Sequence, residues 1–265
     1  MNTLIQNQNP PSYFYDKINN DISYFKSNNI NINNSIWIQN DDCYQPNESY
    51  VKFAEDIFNS DVYYVDFYNN HKNLRDDINE WVLTKTDNTI KDLIKEDDIK
   101  RNTVQTLINT IYLKKNWQYP FDSEKTKLKP FMVDKTEILK EMMYQHNNFY
   151  YLENDSYQFL ELPLSESPVS MLILLPKSNY SLNQLIFDYK FSDFLNDKEK
   201  LSKRWGSLYL PKFKTSYNTS FKEILIDLGM FIPFSPNYAS FEGFWVYDNC
   251  KKDPPNNYID IMNQN

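Results

Sequence analysis

The chain has 265 residues, a formal net charge of −8 and only three glycines, Gly206, Gly229 and Gly243. Backbone can approach a phosphate closely only where glycine allows it, so dinucleotide fingerprints, P-loops, kinase glycine-rich loops and the Gly-x-Ser-x-Gly elbow are excluded. The acidic balance argues against duplex nucleic acid, which needs surplus lysine and arginine, and no nucleic-acid partner is expected.

Residues 1–33 are polar and Asn-rich, and the segment up to residue 34 reads mostly as loop or frayed terminus. Ser35-Ile-Trp-Ile-Gln39 reads as a short strand. Tyr50, Phe53, Ala54, Ile57 and Phe58 recur at helical spacing, with Asn47 or Ser49 able to cap the start. The β-rich Asp61 to Phe67 follows. A second helix runs from about Lys72 to Lys85 on a stripe of Leu74, Ile78, Trp81 and Val82, and Ile90, Leu93 and Ile94 continue as a shorter turn. Thr103 to Leu113 reads as a strand.

Gln158 to Leu162 and Val169 to Leu175 are two further strands, and the second is apolar at almost every position, which predicts burial on both faces. Leu208 to Lys214 is a strand that Pro211 must break or hold at an edge. Ser220-Phe-Lys-Glu223 has the form of a capping box opening a helix striped with Phe221, Ile224, Leu225 and Leu228. Gly229 stands where that helix needs a left-handed residue to stop. The element pattern is α+β.

Chemistry-bearing candidates are few. Two histidines (His71, His146) and two cysteines (Cys43, Cys250) show no ligand spacing, so no metal and no cofactor is expected. The acidic pairs Asp41-Asp42, Asp76-Asp77 and Asp97-Asp98 lack EF-hand spacing and read as helix-start or surface acids. The Lys198 to Arg204 run is interleaved with acids and reads as a solvated face. His146 has no serine near it in a nucleophile context and reads as a loop residue. Cys250, beside Lys251, is the one cysteine with a basic neighbour. Met1 to Pro10 shows no signal-peptide pattern, which places the chain in the cytoplasm as written. No run of 18 apolar residues appears, so no membrane partner is expected.

Seven segments, in order, resemble the serpin family of serine protease inhibitors. Ile78-Asn-Glu-Trp-Val82, Thr86 and Ile90-Lys-Asp-Leu-Ile94 resemble the helix that crosses the serpin main sheet and its exit turn. Leu107-Ile-Asn-Thr-Ile-Tyr-Leu-Lys-Lys-Asn-Trp117 resembles a main-sheet strand, and Pro120-Phe121, Lys125-Thr126 and Pro130-Phe131 continue it. Met142-Met143, Leu160-Glu-Leu-Pro163 and Ser170-Met-Leu-Ile-Leu-Leu-Pro-Lys177 resemble the second sheet. Leu210-Pro-Lys-Phe-Lys214, Leu225 to Met230, and Phe234-Ser-Pro-Asn237 with Phe241-Glu-Gly243 complete the run.

The resemblance implies an α+β serpin-like fold with large mixed and antiparallel sheets and flanking helices. It places the serpin-like core at 34–243. Residues 244–265 form a tail without the family's small-residue hinge and reactive loop, so the fold is expected to be incomplete at both termini. Val246-Tyr-Asp248 resembles a remnant of the family's long central strand. The family's activity is inhibition of serine or cysteine proteases by insertion of a cleaved loop into the main sheet, and that activity is not expected of this chain alone. The alternatives are a non-inhibitory binding protein, self-associating or partnered, or the remnant of a broken gene. The resemblance makes an extracellular location possible, implies no catalytic residue or reactive bond, and puts Asn109 and Trp117 at core positions of the main sheet. Either they gate strand insertion or they are a buried amide and a core aromatic.

Overall fold

A computed structural model describes residues 12–41, 44–133, 136–217, 219–235 and 237–247, together with 259 and 263–264. In chain order the elements are α1 (Ser12–Ser27), β1 (Ile30–Gln39), β2 (Tyr44–Pro46), α2 (Glu48–Phe58), β3 (Ser60–Val65), α3 (Phe67–Lys85) and β4 (Gln105–Leu113). They continue as β5 (Lys127–Val133), β6 (Thr136–Glu153), β7 (Tyr157–Pro163), β8 (Ser170–Pro176), α4 (Leu182–Asp188), α5 (Phe191–Lys200) and β9 (Ser202–Pro211). The last are β10 (Thr219–Ser220), α6 (Lys222–Asp227), β11 (Trp245–Tyr247) and β12 (Asn263–Gln264). Two compact units divide them: Met1–Leu113 with Ser216–Asn265, and Lys114–Thr215.

The first unit is built on a sheet of order β3-β1-β4, with β1 parallel to β3 and antiparallel to β4. Alternation along β1 divides its apolar residues between two faces. Trp37 joins Phe67, Leu74, Ile78, Trp81, Val82, Ile99 and Ile108 in a core under α3. Ile36 and Ile38 meet Ala54 of α2 and Trp245 of β11 on the other side. Each large side chain so buried contributes on the order of 1.5–3 kcal/mol, and Phe67, Ile78 and Val82 are fully enclosed. β11 pairs with β2, and β10 with β12. Val246 and Tyr247 therefore sit in a short peripheral ladder, and Asp248 lies outside the described residues.

Side chains replace ladder bonds in the connection from α3 to β4. The Asn79 amide donates to the Ile94 carbonyl and accepts from the Ile94 N–H, both at 2.9 Å. The buried Thr86 hydroxyl donates to the Val82 carbonyl at 2.7 Å and accepts from the Ile90 N–H at 3.1 Å. Ile90, Leu93 and Ile94 pack on the α3 core without forming a helical turn. α3 begins five residues earlier than its stripe predicts, because Asp66 accepts from the Asn69 N–H at 3.0 Å.

The N-terminal segment departs from its sequence reading. Residues 12–27 form a helix, and β1 begins at Ile30. Tyr15, Ile18, Ile22 and Phe25 recur every three to four residues and are half-buried, and the Tyr15 ring meets Phe53 edge-on at 5.0 Å. Tertiary docking of that stripe overrides the weak helix propensity of the asparagines between.

In the second unit the sheet order is β5-β6-β7-β8, with β9 on β6. Phe149, Leu160, Leu162 and Leu210 form its core. β8 is not buried on both faces: Ser170 to Pro176 are half-buried, with Leu175 52% exposed. It is the terminal strand of its sheet, flanked by a strand on one side only among the described residues. β9 starts at Ser202, so Lys203 and Arg204 lie in a strand opposite Tyr150 and Phe149, and Pro211 ends it. The Ser220 capping box does not form. Phe221 takes the cap position, and the Ser220 hydroxyl accepts from the Lys222 N–H at 3.3 Å. Gly229, at φ +95°, does stop α6. The Met230 N–H reaches the Leu225 carbonyl at 2.8 Å and the Gly229 N–H the Ile226 carbonyl at 2.9 Å, satisfying the last carbonyls.

Candidate functional site

β4 carries the most distinctive geometry of the first unit. One edge bonds to β1 across nine residue pairs, and the other has no strand partner among the described residues. A strand in that position turns a row of N–H and C=O groups outward, a ready template for another strand. Its two faces are unequal. Ile108 and Thr110 are buried beneath α3, whereas Leu107 and Ile111 on the opposite face are 60% and 65% exposed.

Asn109 lies on that exposed face, opposite Asn34 of β1. Its amide donates to Asn34 Oδ1 at 2.8 Å, and Asn34 donates in turn to the Phe58 carbonyl at 2.7 Å. The chain of bonds ties β4 through β1 to the last residue of α2. Asn109 is thus an exposed amide held by a side chain, not a buried one satisfied by backbone. Below α3, Asp61 accepts from Trp81 Nε1 and from Lys85 Nζ, both at 2.9 Å. Partial burial pushes its carboxyl up, but the Lys85 and Trp81 hydrogen bonds and the Lys85 charge outweigh it, so the group titrates below the ordinary range.

Trp117 belongs to the second unit. Residue 117 bridges Leu164, with Gln118 N–H bonded to the Pro163 carbonyl at 2.9 Å and Ser165 N–H to Asn116 at 2.8 Å. Its half-buried ring packs against the Phe149 core and meets Phe121 edge-on at 5.8 Å. A cleft of about 340 Å³ beside it is walled by Gln145, Phe149, Leu162 and Lys203 among others. α5 is anchored in this unit through Asp197, which accepts from Tyr157 at 2.6 Å and Tyr189 at 3.2 Å. Burial, then the Asp197 hydrogen bond, pushes the Tyr157 hydroxyl up to about 12. Tyr189 is raised as well, by burial and the Asp197 charge.

The remaining sequence candidates are dispersed. His146 is a strand residue on β6, bonded through Nδ1 to Ser207 Oγ of β9 at 2.9 Å. The pair was invisible to motif reading because the two lie 61 residues apart and meet only through strand register. Asp76 pairs with Arg75 at 2.6 Å, and Asp98 accepts from the Lys95 N–H at 2.8 Å. Asp42, Cys43 and Cys250 lie outside the described residues.

With this architecture in view, the comparisons are consistent. The family model described as Serpin (serine protease inhibitor) matches residues 4–259, and the chain belongs to the serpin family. It is 35% identical over 216 residues to an uncharacterized serpin-like protein of Methanosarcina acetivorans, covering 79% of this chain and 49% of that one. It is 34% identical over 199 residues to antithrombin-III of Mus musculus, covering 74% of this chain and 43% of that one. A solved structure of cleaved Serpin 42Da superposes with a TM-score of 0.82 at 27% identity, covering 89% of this chain and 64% of that one. The fold is the α+β serpin fold, and the chain spans about half the length of the curated relatives it matches.

Proposed function

We propose that this chain supplies the strand-accepting sheet of a serine-type endopeptidase inhibitor, with the edge of β4 that has no strand partner among the described residues as the acceptor. That edge is the observation that carries the reading, since strand addition uses main-chain hydrogen bonds for affinity and alternate side chains for fit. Family membership supports a protease as the eventual partner, and the reading assigns the chain no catalytic residue of its own.

Residues 244–265 contain no glycine or alanine, so they offer no hinge of small side chains able to alternate into a closing sheet. By itself the 265-residue polypeptide is therefore expected not to trap a protease. The second reading is a binding protein that uses the same edge without inhibition, and the exposed Leu107 and Ile111 beside that edge favour it. Incubation with a panel of serine and cysteine proteases, followed by denaturing gels, separates the possibilities. Degradation without a high-mass adduct is the expected result. A covalent adduct would refute the assignment of this polypeptide as non-inhibitory.

A further inference from the structure

The outward face of the β5-β6-β9 ladder differs in character from the rest of this acidic chain. Directly opposed residues of an antiparallel ladder share a face, and the register groups the side chains without ambiguity. Tyr144 stands opposite Tyr209, His146 opposite Ser207, Asn148 opposite Trp205 and Tyr150 opposite Lys203. On the other edge of β6, Lys140 stands opposite Lys129 and Met142 opposite Lys127. Side-chain contacts bear the grouping out. The Tyr144 and Tyr209 rings are 4.9 Å apart, the His146 and Trp205 rings 5.0 Å apart, and Lys129 Nζ lies 4.1 Å from the centre of the Tyr209 ring.

Three properties of this face point to one kind of ligand. It presents four lysines and no carboxylate from these three strands, because Glu137, Glu141 and Glu153 fall at the alternate positions that point the other way. Lys129 and Lys140 oppose each other directly, a like-charge pair that destabilises a bare ladder and that an anion would offset. Its aromatic rings are accessible: Trp205 is 66% exposed, Tyr209 45% and Tyr150 41%. Two carboxylates border it and both are paired: Asp122 with Lys125 at 3.3 Å, and Glu161, which stands opposite Tyr150 on β7, with Lys198 at 3.1 Å.

We propose that this face binds single-stranded nucleic acid. Flat exposed rings offer stacking surfaces to unpaired bases, and the lysines along the strip, about 34 Å from Lys140 to Tyr150, meet the phosphates. Duplex DNA has no unstacked bases to offer, so the charge argument against duplex binding by the whole chain stands beside this assignment.

The test is fluorescence anisotropy of a labelled oligothymidylate titrated with the full chain, against a duplex of equal length and against heparin. The single strand is expected to bind most tightly, with a log–log salt slope approaching about −3 if all four lysines neutralise phosphate. Trp205→Ala should weaken it roughly tenfold or more through lost stacking, Trp205→Phe should restore most of that, and Lys129→Glu with Lys203→Glu should flatten the salt slope. These residues are at the surface, so an unchanged thermal transition confirms that the variants fold. The proposal is overturned if the oligothymidylate does not bind at about 50 mM salt, if Trp205→Ala binds it as well as the parent, or if heparin binds equally and is indifferent to Trp205→Ala.

Discussion

Asn109 and Asn34 face each other across the β1–β4 ladder, and the amide of the first donates to the carbonyl oxygen of the second at 2.8 Å. Because Asn34 passes the interaction on to the Phe58 carbonyl, the strand with the open edge is linked to the end of α2. Asn34→Ala should cost about 1–2 kcal/mol, since it strands both a helix-terminal carbonyl and Asn109. Asn109→Ala, at an exposed position, should cost about 0.5–1 kcal/mol. Urea denaturation of the single and double variants should give less than additive losses.

The Asn79 amide does the work of a strand for Ile94. Asn79→Leu keeps the volume but leaves the Ile94 N–H and C=O without partners, at a cost of about 2–4 kcal/mol. Limited proteolysis should then cut first within residues 87–104, where the parent resists. Equal cleavage of both proteins in that segment would contradict this role.

Alkaline pH should release α5. The Tyr157 hydroxyl is raised from about 10 to about 12 in the fold, so the folded state holds a proton that the unfolded chain gives up first. Its contribution is fully present below about pH 10 and is lost as pH rises toward about 12. Asp197→Ala removes the acceptor for both tyrosines and should lower stability by about 1–3 kcal/mol at neutral pH. It should also flatten the pH dependence of the melting temperature between pH 10 and 12. Calorimetry across that window reads both effects.

A strand edge with no strand partner among the described residues, beside exposed Leu107 and Ile111, also predicts self-association. Ile111→Lys places a charge on that face and should shift sedimentation toward monomer without lowering the melting temperature by more than a few degrees. Sedimentation of the parent as a monomer at all concentrations would count against an available edge.

The legible parts of the fold were those governed by local pattern. The α2 and α3 stripes, the strand of residues 105–113 and the Gly229 stop each follow from spacing or backbone conformation within a few residues. α1 was hidden because the Asn-rich composition of residues 1–34 as a whole masked the stripe of Tyr15, Ile18, Ile22 and Phe25, although the helix itself holds only Asn19 and Asn20. The Ser220 box failed because its residues match a capping pattern while the backbone at Ser220 is committed to pairing with Asn263. The site was legible in a different way. Resemblance named Asn109 and Trp117, but the open edge of β4 is a property of sheet order, and the lysine–aromatic face depends on register between strands some 60 residues apart. Neither leaves a contiguous signal in the chain.

Amide hydrogen exchange along β4 tests the acceptor edge most directly. In the chain alone, the outward-pointing amides between Gln105 and Leu113 should exchange much faster than those bonded to β1. An added peptide of alternating small and β-branched residues should protect that fast set selectively, and the same peptide with proline at its centre should not. Protection of the outward amides in the chain alone, or no change on adding the peptide, would contradict the account.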